Sequence, residues 1–247
     1  MPNVTPGDML KAAQRGEPSF VWRDGQQRRL EMIRQAAGER LKGRVFIDGS
    51  GVGQYLKHLK PFSGQVFALD IELPRVQDSQ VHSPLVMCGG GEHLPLPEAS
   101  MDVVLSHEVL EHVQDDQAAI REMVRVLKPG GRLILFCPNR GYPFETHGVY
   151  WKGKYHFGNK PLVNYLPRRW RDKLAPHVEI YTRADLARLF KGLPVLFITR
   201  KTLFGAYDNV IARNPGFGKV LRGFLQALEK TPLQRFGLSH FWVVEKI

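Results

Sequence analysis

VFID (45–48) runs straight into GSGVG (49–53), which sets the carboxylate of Asp48 immediately before a loop holding Gly49, Ser50, Gly51 and Gly53. Glycines at a strand-to-helix turn admit positive φ and let a ligand come close to backbone N–H groups. A second carboxylate, Asp70, closes the next apolar run, QVFALD (65–70), where it can accept hydrogen bonds from ribose hydroxyls. A nucleoside cofactor fits both features. The dinucleotide fingerprint G-x-G-x-x-G/A, counted from Gly49, requires a small residue where this chain has Gln54. The pattern present is D-G-x-G-x-G, and a carboxylate beside the first glycine repels a pyrophosphate and attracts an ammonium or a sulfonium. S-adenosylmethionine is therefore the expected cofactor, with an NAD-dependent oxidoreductase as the more distant alternative.

A second set of residues could handle an acceptor. PFETHG (143–148) follows the apolar run RLILFC (132–137), so Glu145 and His147 fall on the edge of the sheet where open α/β folds bind ligands. Tyr142, Tyr150, Trp151, Tyr155, His156 and Phe157 crowd the same stretch, enough to wall an aromatic or lipid-like acceptor pocket or to form an aromatic packing cluster. Methyl transfer to oxygen releases a proton, and His147 with Glu145 is expected to deprotonate or orient the acceptor oxygen. His107 and His112 lie in SHEVLEHV (106–113) and are further titrating candidates. Four residues after His107 stands Glu111, so the zinc spacing H-E-x-x-H fails, no metal is expected, and His112 reads as a partner that anchors a helix start.

These residues need a frame. RVFID (44–48), QVFALD (65–70), PLVMC (84–88), MDVVLS (101–106) and RLILFC (132–137) are short runs, apolar throughout, as in parallel strands buried on both faces. Between the last two, Ala118, Ile120, Met123, Val124 and Leu127 repeat with helical period, and Pro129, Gly130 and Gly131 are expected to end that helix. Alternating strands and helices predict a doubly wound α/β fold. Residues 1–43 read as a helical flank, and 44–247 as one domain with two insertions, 138–180 and 204–238, expected to close over the cofactor as a cap. Thr182 can cap a short helix, with strands expected at 194–200 and 240–247. Within the second insertion, Val220, Leu221, Phe224, Leu225 and Leu228 share one helix face.

FIDGSGVG (46–53), FALDIE (67–72), GEHLPLPEASMDVVLSHEVLEHV (91–113) and REMVRVLKPGGRLILFCPN (121–139) together resemble the class I S-adenosylmethionine-dependent methyltransferases, notably the bacterial group related to ubiquinone and menaquinone biosynthesis. The resemblance covers residues 44–139. It implies a mostly parallel seven-stranded Rossmann-like sheet of order 3-2-1-4-5-7-6, with Asp48, Gly49, Ser50, Gly51 and Gly53 along the methionine part of the cofactor. It further implies that Asp70 holds the ribose diol, Ile71 packs on the adenine, and Ser106 and His107 lie where cofactor and substrate meet. The family usually has an acidic residue at the position of Gly90, so adenine recognition falls here to backbone groups near Gly91, Glu92 and His93.

Length and composition bound the rest. At 247 residues, 43% hydrophobic and 24% charged, the chain is an ordinary globular one, and no run reaches the roughly 18 apolar residues that span a bilayer. Its N-terminus lacks the basic-then-apolar order of a signal peptide, and Cys88 and Cys137 each sit in an apolar run where a buried free thiol is expected, which suggests a cytoplasmic setting. Residues 1–150 hold 17 Lys and Arg against 18 Asp and Glu, whereas 151–247 hold 18 against 6, so the net charge of +11 belongs to the C-terminal part. That half, with LPRRWRDK (166–173), is suited to an anionic membrane surface, a lipid- or glycan-linked acceptor or, less so, a nucleic acid, unless it is only a solvated face. An RNA methyltransferase and a non-catalytic binding protein on the same fold stand as alternatives to a small-molecule enzyme.

Overall fold

The computed structural model describes residues 22–247, so much of the expected flank over 1–43 lies outside the described residues. Helix α1 (Asp24–Ala37) leads through a short 3-10 turn into β1 (Arg44–Asp48), α2 (Gln54–Leu59), β2 (Gln65–Asp70), α3 (Leu73–Gln80), β3 (Val86–Cys88), β4 (Met101–His107), α4 (Asp116–Val126) and β5 (Leu127–Pro138). The first insertion holds the short strands β6 (Phe144–Glu145), β7 (Val149–Trp151), β8 (Lys154–His156) and β9 (Lys160–Pro161) and the helix α5 (Arg168–Leu174). Helix α6 (Arg183–Leu189) and β10 (Val195–Leu203) follow, then α7 (Asp208–Arg213) and α8 (Pro215–Leu228) of the second insertion, and β11 (Ser239–Lys246) closes the chain.

Seven strands form one sheet in the order β10-β11-β5-β4-β1-β2-β3, with β11 slotted antiparallel between β5 and β10 and the five strands from β5 to β3 parallel, as expected. The central strands β1, β4 and β5 are apolar and buried because helices cover both faces, whereas the edge strand β10 is largely exposed. In β1, Val45 and Ile47 pack with Leu30, Ile33 and Ala37 of α1 and with Leu56 and Leu59 of α2, while Phe46 points to the other side, toward Ile120, Met123 and Val124 of α4. The Asp115 carboxylate starts α4 by accepting from the Ala118 N–H at 2.8 Å, and Thr182 and Asp185 cap α6 reciprocally.

Three expectations need adjustment. Helix α4 ends at Val126, ahead of the Pro129 turn, because Lys128 precedes a proline and is pushed out of the helical region, and Leu127 is already extended and paired with Met101. Cys137 is buried in β5, but Cys88 is exposed at the end of the short edge strand β3. The second insertion packs on α1: Glu229 pairs with Arg28, Arg222 with Asp24, and the Gly25 N–H donates to the Asp208 carboxylate.

Candidate functional site

At the carboxyl end of β1 the chain turns through Gly49, Gly51 and Gly53, with φ of +71°, +52° and +79°. Glycine is required at the first of these on space as well as on φ, since a Cβ there would stand 2.2 Å from Val109 Cγ2. Two backbone donors fix Asp70, the Gly51 N–H to Oδ2 at 2.8 Å and the Glu72 N–H to Oδ1 at 3.0 Å, so the ends of β1 and β2 are tied together. The Ser50 N–H donates to the Leu69 carbonyl at 2.8 Å, and Ser79 Oγ to the Gly51 carbonyl at 2.8 Å, which closes the loop from behind.

This loop forms one wall of a cavity of about 830 Å³ along the carboxyl edge of the sheet. Asp48, Gly49, Ser50, Gly51, Asp70, Ile71, Gly91, Glu92 and His93 all line it. Two expected cofactor residues stand behind the wall. Gly53 starts α2, and Ser106 is fully buried, its Oγ donating to Asp48 Oδ2 at 3.3 Å. That hydroxyl is the one side-chain donor Asp48 has among the described residues, and the carboxylate is 1% exposed. Burial pushes its pKa up to about 7, against the lowering pull of Ser106 and with help from the charges of Glu92 and Asp70. A cation placed here would be stabilised and an anion repelled.

His107, Glu108, Glu111, His112 and His147 line the same cavity. His107 Nε2 accepts from Arg29 Nη1 at 2.7 Å and lies 3.1 Å from the Tyr55 hydroxyl. Burial, with the charge of Arg29, drops its pKa to about 3, so the ring is neutral and committed to those neighbours. Glu108 takes a left-handed φ of +55°, pairs with Arg29 at 2.9 Å and accepts from Ser239 Oγ. His147 enters from the loop beyond β6. Its Nδ1 is 3.0 Å from Glu145 Oε1, and its backbone N–H donates to the same oxygen at 2.9 Å. Glu145 itself is 1% exposed, and its other oxygen accepts from Arg171 Nη2 at 2.7 Å. Burial works against this carboxylate, but the bonds from His147 and the charge of Arg171 prevail and hold it down at about 2.

Among the described residues, His147 alone of 138–180 lines this cavity, and none of 204–238 does. The second insertion, expected as part of a cap, instead packs on α1 in the described residues. Aromatic residues of the first insertion divide: Tyr150 and Tyr155 pack on each other and on His177, whereas Trp151 and Phe157 are exposed. The basic stretch 166–173 is partly internal, with Arg168 paired to Glu179 and Asp185 and Arg171 buried against Glu145. Glu111 is the residue that sequence reasoning passed over. It is 2% exposed and neither carboxylate oxygen meets a donor. Its signal was the second acid in SHEVLEHV, one turn from Glu108.

Residues 48–135 match the family described as a methyltransferase domain. Over 141 residues the chain is 31% identical to a probable S-adenosylmethionine-dependent methyltransferase of Mycolicibacterium smegmatis, covering 56% of this chain and 55% of that protein. Over 134 residues it is 35% identical to malonyl-(acyl-carrier protein) O-methyltransferase of Yersinia pestis, covering 53% and 49%. The matched stretch thus spans about half the length of these curated relatives. An S-adenosylmethionine dependent methyltransferase from Mesorhizobium loti shares the fold, with a TM-score of 0.61 at 17% identity over 87% of this chain and 96% of that one. No helix among the described residues is long and apolar enough to cross a membrane.

Proposed function

We propose that this chain, whose residues 48–135 match a methyltransferase domain, is a class I S-adenosylmethionine-dependent methyltransferase that methylates an oxygen of a small-molecule or lipid- or glycan-linked acceptor. When bound, the cofactor supplies a methyl group already activated on a sulfonium. Asp48 fits its cationic methionine end, being a buried carboxylate with a single hydroxyl donor, and Asp70, Ile71 and the backbone from Gly91 to His93 flank the nucleoside end. The protein's remaining task is alignment of the acceptor.

The observation that carries the acceptor reading is His147, which faces the cavity with Nδ1 held by Glu145. That bond leaves Nε2 to meet the acceptor's hydroxyl, orient it and receive its proton, while Glu145 and Arg171 position the ring. The relative named as an O-methyltransferase supports oxygen as the methylated atom. A methyl-transfer screen with labelled cofactor over quinone, lipid-linked, glycan and RNA acceptors tests the reading. Transfer to RNA alone, with binding that falls steeply as salt rises, would overturn it.

Two binding experiments test the cofactor end. Asp70→Ala should weaken S-adenosylmethionine in calorimetry by on the order of 1.5–3 kcal/mol, the value of hydrogen bonds to a charged acceptor. A response to NADH with none to S-adenosylmethionine or S-adenosylhomocysteine would defeat the assignment. The second experiment follows from the raised pKa of Asp48. A cationic ligand prefers its ionised form, so affinity should fall roughly tenfold between pH 8 and pH 6 as the carboxyl, with a pKa of about 7, takes up its proton. Asp48→Asn should give weak binding with a flat profile. In the ligand-free protein the sign is reversed: the folded chain binds this proton more tightly than the unfolded one, so the Asp48 contribution to stability declines as pH rises from about 4 to 7.

A further inference from the structure

Glu111, His112 and His147, which line the cavity, bring one ligand atom each to within 4.8 Å of one another. Ligands held about 2.0–2.2 Å from a single ion stand at most about 4.4 Å apart, so small side-chain rotations would close the set on a cation. We propose that these three residues form a binding site for a borderline divalent transition-metal cation, Zn²⁺, Fe²⁺, Mn²⁺ or Co²⁺, in the cavity. The proposal rests on the reading of His147 as the residue beside which the acceptor oxygen sits.

Three observations on the residues support it. Glu111 is 2% exposed and its carboxyl faces that of Glu108, with neither oxygen reached by a basic side chain. Arg29 spends its hydrogen bonds on Glu108 and His107, and none reaches Glu111. Both imidazoles are oriented in the manner of metal ligands: His147 Nδ1 is held by the Glu145 carboxylate at 3.0 Å, and His112 Nδ1 faces the His177 carbonyl at 3.4 Å. Each ring thus keeps Nε2 for another partner. Two imidazoles and one carboxylate suit first-row transition metals better than Mg²⁺ or Ca²⁺, which prefer all-oxygen shells. Three protein ligands leave coordination positions open toward the cavity. With the cation bound, His147 Nε2 is a ligand and no longer takes the proton, so the acceptor hydroxyl would be held by the cation and would release its proton to solvent water.

The test uses the full chain, stripped with chelator and titrated with Co²⁺ and Mn²⁺, read by Co²⁺ visible absorption and by calorimetry. One equivalent of Co²⁺ with a d–d band is expected, displaced by Zn²⁺. Glu111→Gln keeps the shape of a side chain that makes no hydrogen bond, and His112→Ala removes a ring. Each should lower affinity by at least the roughly 10–100-fold that loss of outer partners alone costs, while S-adenosylmethionine affinity and the melting curve stay close to wild type. His156→Ala, on the exposed β8 ribbon, should leave Co²⁺ binding unchanged. Absence of stoichiometric Co²⁺, or affinity unaltered in both ligand variants, overturns the metal site even if S-adenosylmethionine binds normally. Failure of S-adenosylmethionine to bind a protein that takes up Co²⁺ normally overturns the methyltransferase reading instead.

Discussion

His147→Ala should lower turnover by about 10²–10⁴-fold while S-adenosylmethionine affinity stays nearly constant. The ring enters the cavity from the loop beyond β6 and its hydrogen bond runs to Glu145, so its removal leaves the Asp48 loop and Asp70 with their own bonds intact. The loss belongs in kcat, because proton removal from the acceptor matters in the transition state and little in the bound ground state. Single-turnover measurements with labelled cofactor, on whichever acceptor the screen identifies, separate chemistry from product release. Turnover unaltered in both His147→Ala and Glu145→Ala would reduce PFETHG to packing. A rise in KM with kcat preserved would make His147 a binding residue for the acceptor and nothing more.

Arg171→Met should destabilise the protein by about 3–5 kcal/mol. The guanidinium is 1% exposed and donates to Glu145 and to the carbonyls of Ala175 and Val178, so it stitches α5 and the segment after it to the loop that carries His147. Methionine fills much of the volume but leaves the Glu145 carboxylate buried without its cation. For a chain of this size such a loss lowers the melting temperature by roughly 6–20 °C. Glu145→Leu combined with Arg171→Met should regain most of it, because removing both charges together avoids the stranded one. The pH dependence gives a second check. Glu145 is held below its unfolded value, so its contribution to stability is present above about pH 4.5 and is lost as pH falls toward 2. Wild type should lose stability in that window more steeply than Arg171→Met. Equal melting curves at neutral pH for wild type and Arg171→Met would defeat the expectation.

What could be read from the sequence was local. Asp48, its glycines and Asp70 sit at the ends of consecutive apolar runs, so the period of the pattern places them on one sheet edge without any three-dimensional information. The seven-stranded order was carried by four motifs in a row. The cluster of Glu111, His112 and His147 was not legible in the same way. Glu111 and His112 come from the turn after β4 and His147 from beyond β6, and no spacing rule joins segments whose approach depends on how an irregular loop packs. Arg171 illustrates the same limit, since a charged run carries no mark of which member is buried. The amphipathic pattern of the second insertion does form a helix, α8, but Val220 and Phe224 of its apolar face stay exposed among the described residues, so the pattern did not say what the helix packs on. The ion pairs of Arg28 with Glu229 and of Asp24 with Arg222 put it on α1.

The backbone at Glu108 carries a further meaning. A non-glycine residue at φ +55° gives up about 1–2 kcal/mol relative to a relaxed conformation. Glycine would remove that penalty, yet it would also remove the carboxylate that engages Arg29 and Ser239 at the mouth of β4. Glu108 is thus held in its left-handed conformation between α1, through Arg29, and β11, through Ser239. Residues that look optimisable in a search for thermostability are here the ones that keep the rim set, and a protein hardened by relaxing Glu108 would be expected to trade catalytic competence for its gain in melting temperature.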